Sequence, residues 1–242
     1  MKKLLILLNK IVSWLLGIGY GTESIEKEIK SFMKFIPNGE IFVDVGGNKG
    51  LYSSTLIKKF NVKEIHIFEP CKLNIEIIKE KFSDKRIKIN NCGLSNLDSE
   101  AILYSNETGS GLASLSKRKL DHFGIKFDNE ELIKLTRFDE YWKNNIKSEY
   151  VDLMKIDVEG HELNVLEGAG NYINNIKVIQ FEFGGCNIDT KTFFQEFWYF
   201  FQERNFQIYR ITPIGALEIN SYTESLERFQ TTNYFCVNRN LV

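Results

Sequence analysis

Three absences narrow this 242-residue chain before its motifs are read. Charge of one sign is missing: 31 Lys and Arg face 32 Asp and Glu, a formal net charge of -1. That leaves no basic footprint of the kind that draws a protein to nucleic acid. Clustered cysteine is missing too. Cys71, Cys92, Cys186 and Cys236 are widely spaced, with no Cys-x-x-Cys pair and no neighbouring histidine pattern, which argues against a zinc site and predicts reduced thiols in a cytoplasmic protein. Finally, the opening apolar run Leu4 to Leu8 is cut by Asn9 and Lys10, and no small-residue cleavage site follows. The segment is too short and too polar to span a bilayer, and it does not read as a secretory signal. There is no internal repeat or interdomain linker, and the length suits one α/β domain with a substantial core.

What is present begins at Ile41 to Gly50, IFVDVGGNKG. Val43 and Val45 favour a buried strand, Asp44 sits near its carboxyl end, and Gly46, Gly47 and Gly50 open the backbone to a ligand. The next segment has helical apolar spacing at Tyr52, Leu56 and Ile57, so the turn joins a strand to a helix, where open α/β sheets bind ligands. A dinucleotide fingerprint needs a glycine where Val45 stands, and a phosphate loop needs a Gly-Lys-Ser/Thr that never follows. The spacing instead fits D-x-G-x-x-x-G, the first motif of methyltransferases that use S-adenosylmethionine. Glu69 ends a second apolar run about twenty residues after the glycines, where an acid reaches ribose hydroxyls.

Farther along, Met154 to Ala169 reads MKIDVEGHELNVLEGA. Together with DVGGNKGLYS, FEPCKLN, NNCGLS and the late NYFCV, it resembles the FkbM family of S-adenosylmethionine-dependent methyltransferases over roughly residues 39 to 238. Gly47 departs from the family, which more often has alanine there; the smaller residue is expected to leave more room for the cofactor. The resemblance implies an α/β, Rossmann-like class I methyltransferase fold: a seven-stranded, mostly parallel sheet with its last strand antiparallel and helices on both faces. It also implies S-adenosyl-L-methionine as cofactor and O-methyl transfer to a hydroxyl of a sugar, surface glycan or similar small acceptor. A nucleic-acid substrate is disfavoured by the charge and by the lack of an Asn-Pro-Pro-Tyr-type motif. A NAD-dependent oxidoreductase and a non-catalytic binding module are the alternatives.

Site residues follow from strand ends. The cofactor set is Asp44, Gly46, Gly47, Asn48, Gly50, Tyr52, Ser53 and Glu69, with Asn91, Cys92 and Gly93 after the third strand where this fold places adenine contacts, and Asp157 after the fourth. An alcohol is a poor nucleophile at neutral pH, so a base is expected within hydrogen-bond reach. Asp157, Glu159 and His161, just beyond the fourth strand, are the catalytic candidates. Asp157, Glu159 and Glu182 are alternatively hard oxygen ligands for a divalent ion, although no metal is required by the spacing. Glu182 ends the fifth strand and is expected to line the acceptor pocket. The irregular stretch 106–128 reads as a flexible lid in which Ser110, Lys117 and Arg118 select the acceptor, the two cations suiting an anionic one.

The chain divides into an amphipathic helical segment, 1–36, and the methyltransferase domain, 37–242. Leu4, Leu5, Leu8, Ile11, Val12, Leu15 and Leu16 share one face at helical spacing. That face either packs on the domain or on a partner subunit, the favoured expectation, or lies at a membrane with Lys2, Lys3 and Lys10 toward anionic lipid. A helix is expected over 24–35, an aromatic-faced core helix over 193–204, and a terminal antiparallel pair at 206–211 and 233–237. Nothing in the sequence sets the oligomeric state.

Overall fold

The computed structural model describes residues 1–20 and 25–242. In chain order it runs α1 (Lys2–Leu15), α2 (Ile25–Phe32), β1 (Ile41–Val45), α3 (Leu51–Lys59), β2 (Glu64–Phe68), α4 (Lys72–Lys81), β3 (Ile87–Asn90), β4 (Gly93–Leu94), β5 (Ser99–Ser105) and β6 (Asn129–Thr136). The second half continues α5 (Phe138–Asn145), β7 (Val151–Ile156), α6 (Glu162–Gly168), β8 (Ile176–Phe183), α7 (Cys186–Thr190), α8 (Phe194–Gln202), β9 (Phe206–Thr212), β10 (Gly215–Ile219) and β11 (Thr232–Asn238).

The main sheet has the order β10-β9-β11-β8-β7-β1-β2-β3. Its centre, β8-β7-β1-β2-β3, is parallel, and β11 runs antiparallel between β8 and β9. This is the Rossmann-like class I methyltransferase arrangement, with eight strands where seven were expected. The additional strand is β10, which pairs antiparallel with β9 after a tight turn and carries four exposed residues in five. At five residues, with only Ile219 buried, it is too short and too exposed for a periodicity search to pick out. A second sheet, β4-β6-β5, stands apart from the first. β5 and β6 pair antiparallel, one ending just before the stretch 106–128 and the other starting just after it.

The central strands are near-continuous apolar runs because a parallel sheet is covered on both faces; every residue of β1 is buried, Asp44 included. One face packs the aromatic residues of α8 and the strands beneath them: Phe181 lies 4.8 Å from Phe197 and 5.5 Å from Phe201 between ring centroids. This confirms Phe194, Phe197 and Phe201 as core, while Phe193 is exposed. The other face holds Ile29 and Phe32 of α2 against Phe42, Leu56 and Phe235. The expected helix over 24–35 appears as α2 followed by one 3-10 turn, Met33–Phe35; its first residue, Ser24, lies outside the described residues.

The first helix departs from one arm of the favoured expectation, packing on the domain; packing on a partner subunit is the other arm. No residue of α1 is buried, so it does not pack on the domain. Asn9 and Ser13, one helical turn apart, face Arg228, Phe229 and Gln230, so its polar side meets the protein.

Candidate active site

A cavity of about 380 Å³ opens at the carboxyl ends of the parallel strands, a volume typical of small-molecule sites. Ten sequence-named residues line it: Gly46, Gly47, Asn48 and Tyr52 from the first turn and α3, Glu69 and Gly93 from the next two strands, Ser110 from the loop, and Asp157, Glu159 and His161 beyond β7. The strand order alone brings them together, because β2, β1 and β7 are neighbours although Glu69 and Asp157 are far apart in the chain.

The first turn is held from both sides. Gly46 takes φ +76°, and a Cβ there would overlap the Asp157 carbonyl oxygen, so only glycine lets β1 and β7 splay at this edge. Gly46 and Gly47 both donate backbone hydrogen bonds to the Phe68 carbonyl, at 2.9 and 3.0 Å. At Gly47 the structure corrects the sequence reading. The space an alanine methyl would fill is taken by Ile67 Cγ2, so the missing side chain accommodates the core and adds no room for a ligand.

Glu69 closes the turn: Oε2 accepts from the Asn48 backbone N–H at 2.8 Å and Oε1 from that of Cys71 at 2.9 Å. Burial pushes its carboxyl up to about 7, against the pull of those N–H groups. Asn48 Oδ1 and Asn74 Oδ1 are buried beside it with no protein partner. Unmet buried acceptors lining a cavity await a ligand's donors, and together with the open backbone turn they fit the ribose and amino groups of S-adenosylmethionine.

Several named residues support the site from behind. Asp44 is fully buried, accepts 2.6 Å from Ser53 Oγ, and lies 3.9 Å from Lys155 Nζ. Burial raises its carboxyl, with Lys155 and Ser53 pulling it back. Gly50 caps α3 in the left-handed region, where a Cβ would crowd the Phe82 ring. Asn91 donates through Nδ2 to the Glu69 and Pro70 carbonyls at 3.2 and 2.9 Å, shaping the loop under Glu69. Cys92 packs against the core, and burial pushes its thiol up to about 11. All four cysteines are free thiols.

The turn after β7 is built by a residue that the sequence reading passed over. Glu162, fully buried, accepts from the backbone N–H groups of Val158 and Gly160, both at 3.1 Å. That tie holds Glu159 at φ +54° and Gly160 at φ +103°, a strained pair of the kind found at functional sites. Asp157 precedes this pair, directly after β7, one-third exposed and facing the cavity, with Lys155 Nζ 3.1 Å from Oδ2. Lys155 is almost buried between Asp157, Asp44 and the Tyr52 ring. Burial pulls its pKa down, and the two carboxylates outweigh burial, leaving it above the ordinary lysine value. Lys155 and Gln180 were also missed. Each is a polar residue inside an otherwise apolar strand, MKI and VIQF, and that mismatch was the available signal.

The stretch 106–128 forms the cavity's roof and is tied down rather than loose. Ser114 Oγ donates to the Glu159 carbonyl at 2.8 Å, Ser116 Oγ lies 3.0 Å from His161 Nε2, and Ser114 bridges Tyr104 through paired backbone hydrogen bonds. Arg118 is not available to an anionic acceptor: it pairs with Glu159 at 2.7 Å and Asp189 at 3.1 Å, nearly buried. Lys117 points outward to Glu130 at 3.3 Å. Glu182 is half-buried behind the lining rather than in it, and burial with Asp157, Glu159 and Glu162 nearby raises its carboxyl well above normal. Burial pushes Glu159 up to about 8 despite Arg118 and lowers the His161 pKa, which favours a neutral imidazole. Asp157, Glu159 and Glu182 do not converge as ligands; among the described residues no three His, Cys, Asp or Glu side chains are placed to hold a metal ion.

Known proteins share parts of this chain's sequence. The Methyltransferase FkbM domain model matches residues 44–208. Methyltransferase sdnD of Sordaria araneosa is 28% identical over 160 residues, covering 55% of this chain and 62% of that protein. Methyltransferase 1 of Beauveria bassiana is 22% identical over 147 residues, covering 54% and 59%. The chain thus spans about six tenths of the length of these curated relatives. The crystal structure of methyltransferase FkbM from Methylobacillus flagellatus KT is similar at 19% identity and a TM-score of 0.48, over 81% of this chain and 43% of that one. With the domain model matched over more than half its length, this chain belongs to the FkbM methyltransferase family.

Proposed function

We propose that this protein is an S-adenosylmethionine-dependent O-methyltransferase acting on a hydroxyl of a sugar or glycan. The observation that carries the reading is Asp157: a partly exposed carboxylate at the end of β7, braced by Lys155 and facing the same cavity as the glycine turn and Glu69. When bound, S-adenosylmethionine supplies a methyl group already activated by a sulfonium. The backbone of Gly46 to Asn48 and the side chains of Glu69 and Asn74 are the residues that hold it.

The chain's own groups then have two tasks, to orient the acceptor and to take its proton. Asp157 accepts a hydrogen bond from the acceptor hydroxyl and is the first candidate to receive the proton. His161, half-buried and with its pKa lowered by desolvation, is the second, with Ser116 orienting the ring. Glu159, engaged with Arg118, fixes the turn and is a positioning residue. Lys117 and Arg118 are engaged by Glu130, Glu159 and Asp189, and Lys155 in the lining is held by Asp157 and Asp44. With those cations occupied, an uncharged acceptor replaces the anionic one expected from Lys117 and Arg118. Glu28 Oε1 and Asn233 Nδ2, both buried in the lining without a partner, supply an acceptor and a donor for neighbouring hydroxyls.

Calorimetry with S-adenosylhomocysteine should give saturable heat, and a panel of neutral and phosphorylated sugars with labelled donor should place the label on a neutral one. Absence of heat with donor and demethylated product would remove the cofactor assignment; label only on phosphorylated sugars would remove the acceptor assignment.

A further inference from the structure

For a helix covering its own domain, α1 faces the wrong way. Asn9 and Ser13 turn toward Arg228 and Gln230, while Leu4 to Leu8, Ile11 and Val12 are 46% to 60% exposed. Five consecutive apolar residues sweep more than one full turn, so apolar surface wraps this part of the helix instead of marking a stripe. The root, by contrast, is gripped. Arg210 Nη1 donates to the Leu16 carbonyl at 3.3 Å, and Ile18 and Tyr20 are buried. Gly17, at φ +79°, approaches β9 so closely that a Cβ would overlap the Ile211 carbonyl oxygen. β9 ends here, on the sheet edge that carries the cavity. Charge supplies the last observation: Lys2, Lys3 and Lys10 are accompanied by no carboxylate among residues 1–16.

We propose that α1 docks this protein on an anionic lipid surface. A second copy of the chain is a poorer occupant, because its α1 brings three more lysines and no carboxylate to neutralise them. A lipid surface takes the exposed apolar side into its acyl boundary while its phosphates meet the lysines. Fourteen helical residues extend about 21 Å, short of the roughly 30 Å hydrocarbon core, and no described helix is long and apolar enough to cross a membrane. The helix therefore lies in the interface and holds the cavity's edge of the sheet near the lipid.

The test is sedimentation of the full chain with phosphatidylcholine vesicles, with and without phosphatidylglycerol. Binding is expected on the mixed vesicles and should be about tenfold weaker or more on pure phosphatidylcholine. Replacing Lys2, Lys3 and Lys10 by Gln should weaken binding to mixed vesicles about fivefold per lysine. The double variant Leu5→Glu, Leu8→Glu should abolish binding to both, and its thermal midpoint should stay unchanged because both side chains are exposed. Wild-type protein left in the supernatant with mixed vesicles would overturn the proposal. So would a dimer in sedimentation velocity that the Leu5/Leu8 variant splits while the wild type binds no vesicle. Neither outcome bears on cofactor binding, so this proposal and the methyl-transfer reading fail independently.

Discussion

A single strand, β8, separates the two regimes of this molecule. Its odd-numbered side chains Ile179, Phe181 and Phe183 enter an aromatic core in which Phe181 stacks on Phe197, Phe201 and Tyr234. Toward the other face, Gln180 donates to Glu28 Oε2 at 2.7 Å and accepts from the Tyr52 hydroxyl, and Glu182 follows. In register across the sheet, Gln180 stands beside Lys155, and Lys155 beside Asp44. One face is held by contact area and shape along its whole length. The other shares an apolar cluster around Phe42, Leu56, Val178 and Phe235 but carries buried polar groups toward the cavity, where Glu28, Asn48, Asn74 and Asn233 each keep an unmet atom. The difference shows where the fold is stabilised and where it leaves hydrogen-bonding capacity for ligands.

The strongest way to break this contrast is Phe181→Ala. Loss of a fully buried ring should cost about 3–5 kcal/mol in denaturant unfolding, with affinity for S-adenosylhomocysteine unchanged in the folded fraction; a loss of affinity without loss of stability would refute the division of labour. Asp157→Asn should do the reverse. Methyl incorporation should fall roughly 100-fold or more, with stability altered by less than about 1 kcal/mol. Unchanged turnover would remove Asp157 from the chemistry.

Gly47→Ala sharpens the boundary between the two regimes. Overlap with Ile67 should destabilise by about 1–3 kcal/mol, and adding Ile67→Ala should recover part of that loss in a double-mutant cycle. If the single change instead weakens cofactor binding at full stability, the glycine serves the ligand. The smallest effect concerns pH. With Glu69 near 7, and on the proposal that its ionised form accepts the cofactor's hydroxyls, affinity for S-adenosylhomocysteine should fall as pH drops from 8 to 6, by at most about tenfold per unit, and Glu69→Gln should flatten the profile. Folding runs the other way. A carboxyl raised above its ordinary 4.5 stabilises the folded state in acid, and that contribution is lost as pH rises through about 7.

Much of the site was legible because its motifs sit at strand ends: the glycine turn, Glu69 and Asp157 each follow an apolar run, and a parallel α/β sheet gathers such ends on one edge. Residues inside the strands were harder to read. Lys155 and Gln180 belong to segments whose apolar neighbours dominate the pattern, and only the register of β1, β7 and β8 shows that they touch Asp44 and Glu28. Glu28 and Asn233 come from α2 and β11, outside the stretch matched by the family model; Asn233 opens NYFCV, which read as a strand and not as part of the site, and nothing around Glu28 marks it. Arg118 read as a ligand for anions because its two carboxylate partners lie 41 and 71 positions away.

Local chemistry in the chain determined the alternation of strands and helices, the cofactor turn and the family, since each depends on residues within a few positions of one another. Tertiary structure alone decided which cations are already paired, that Ile67 fills the gap at Gly47, and that α1 turns its polar side to the domain. Those outcomes rest on contacts between segments distant in sequence, which periodicity and propensity do not encode.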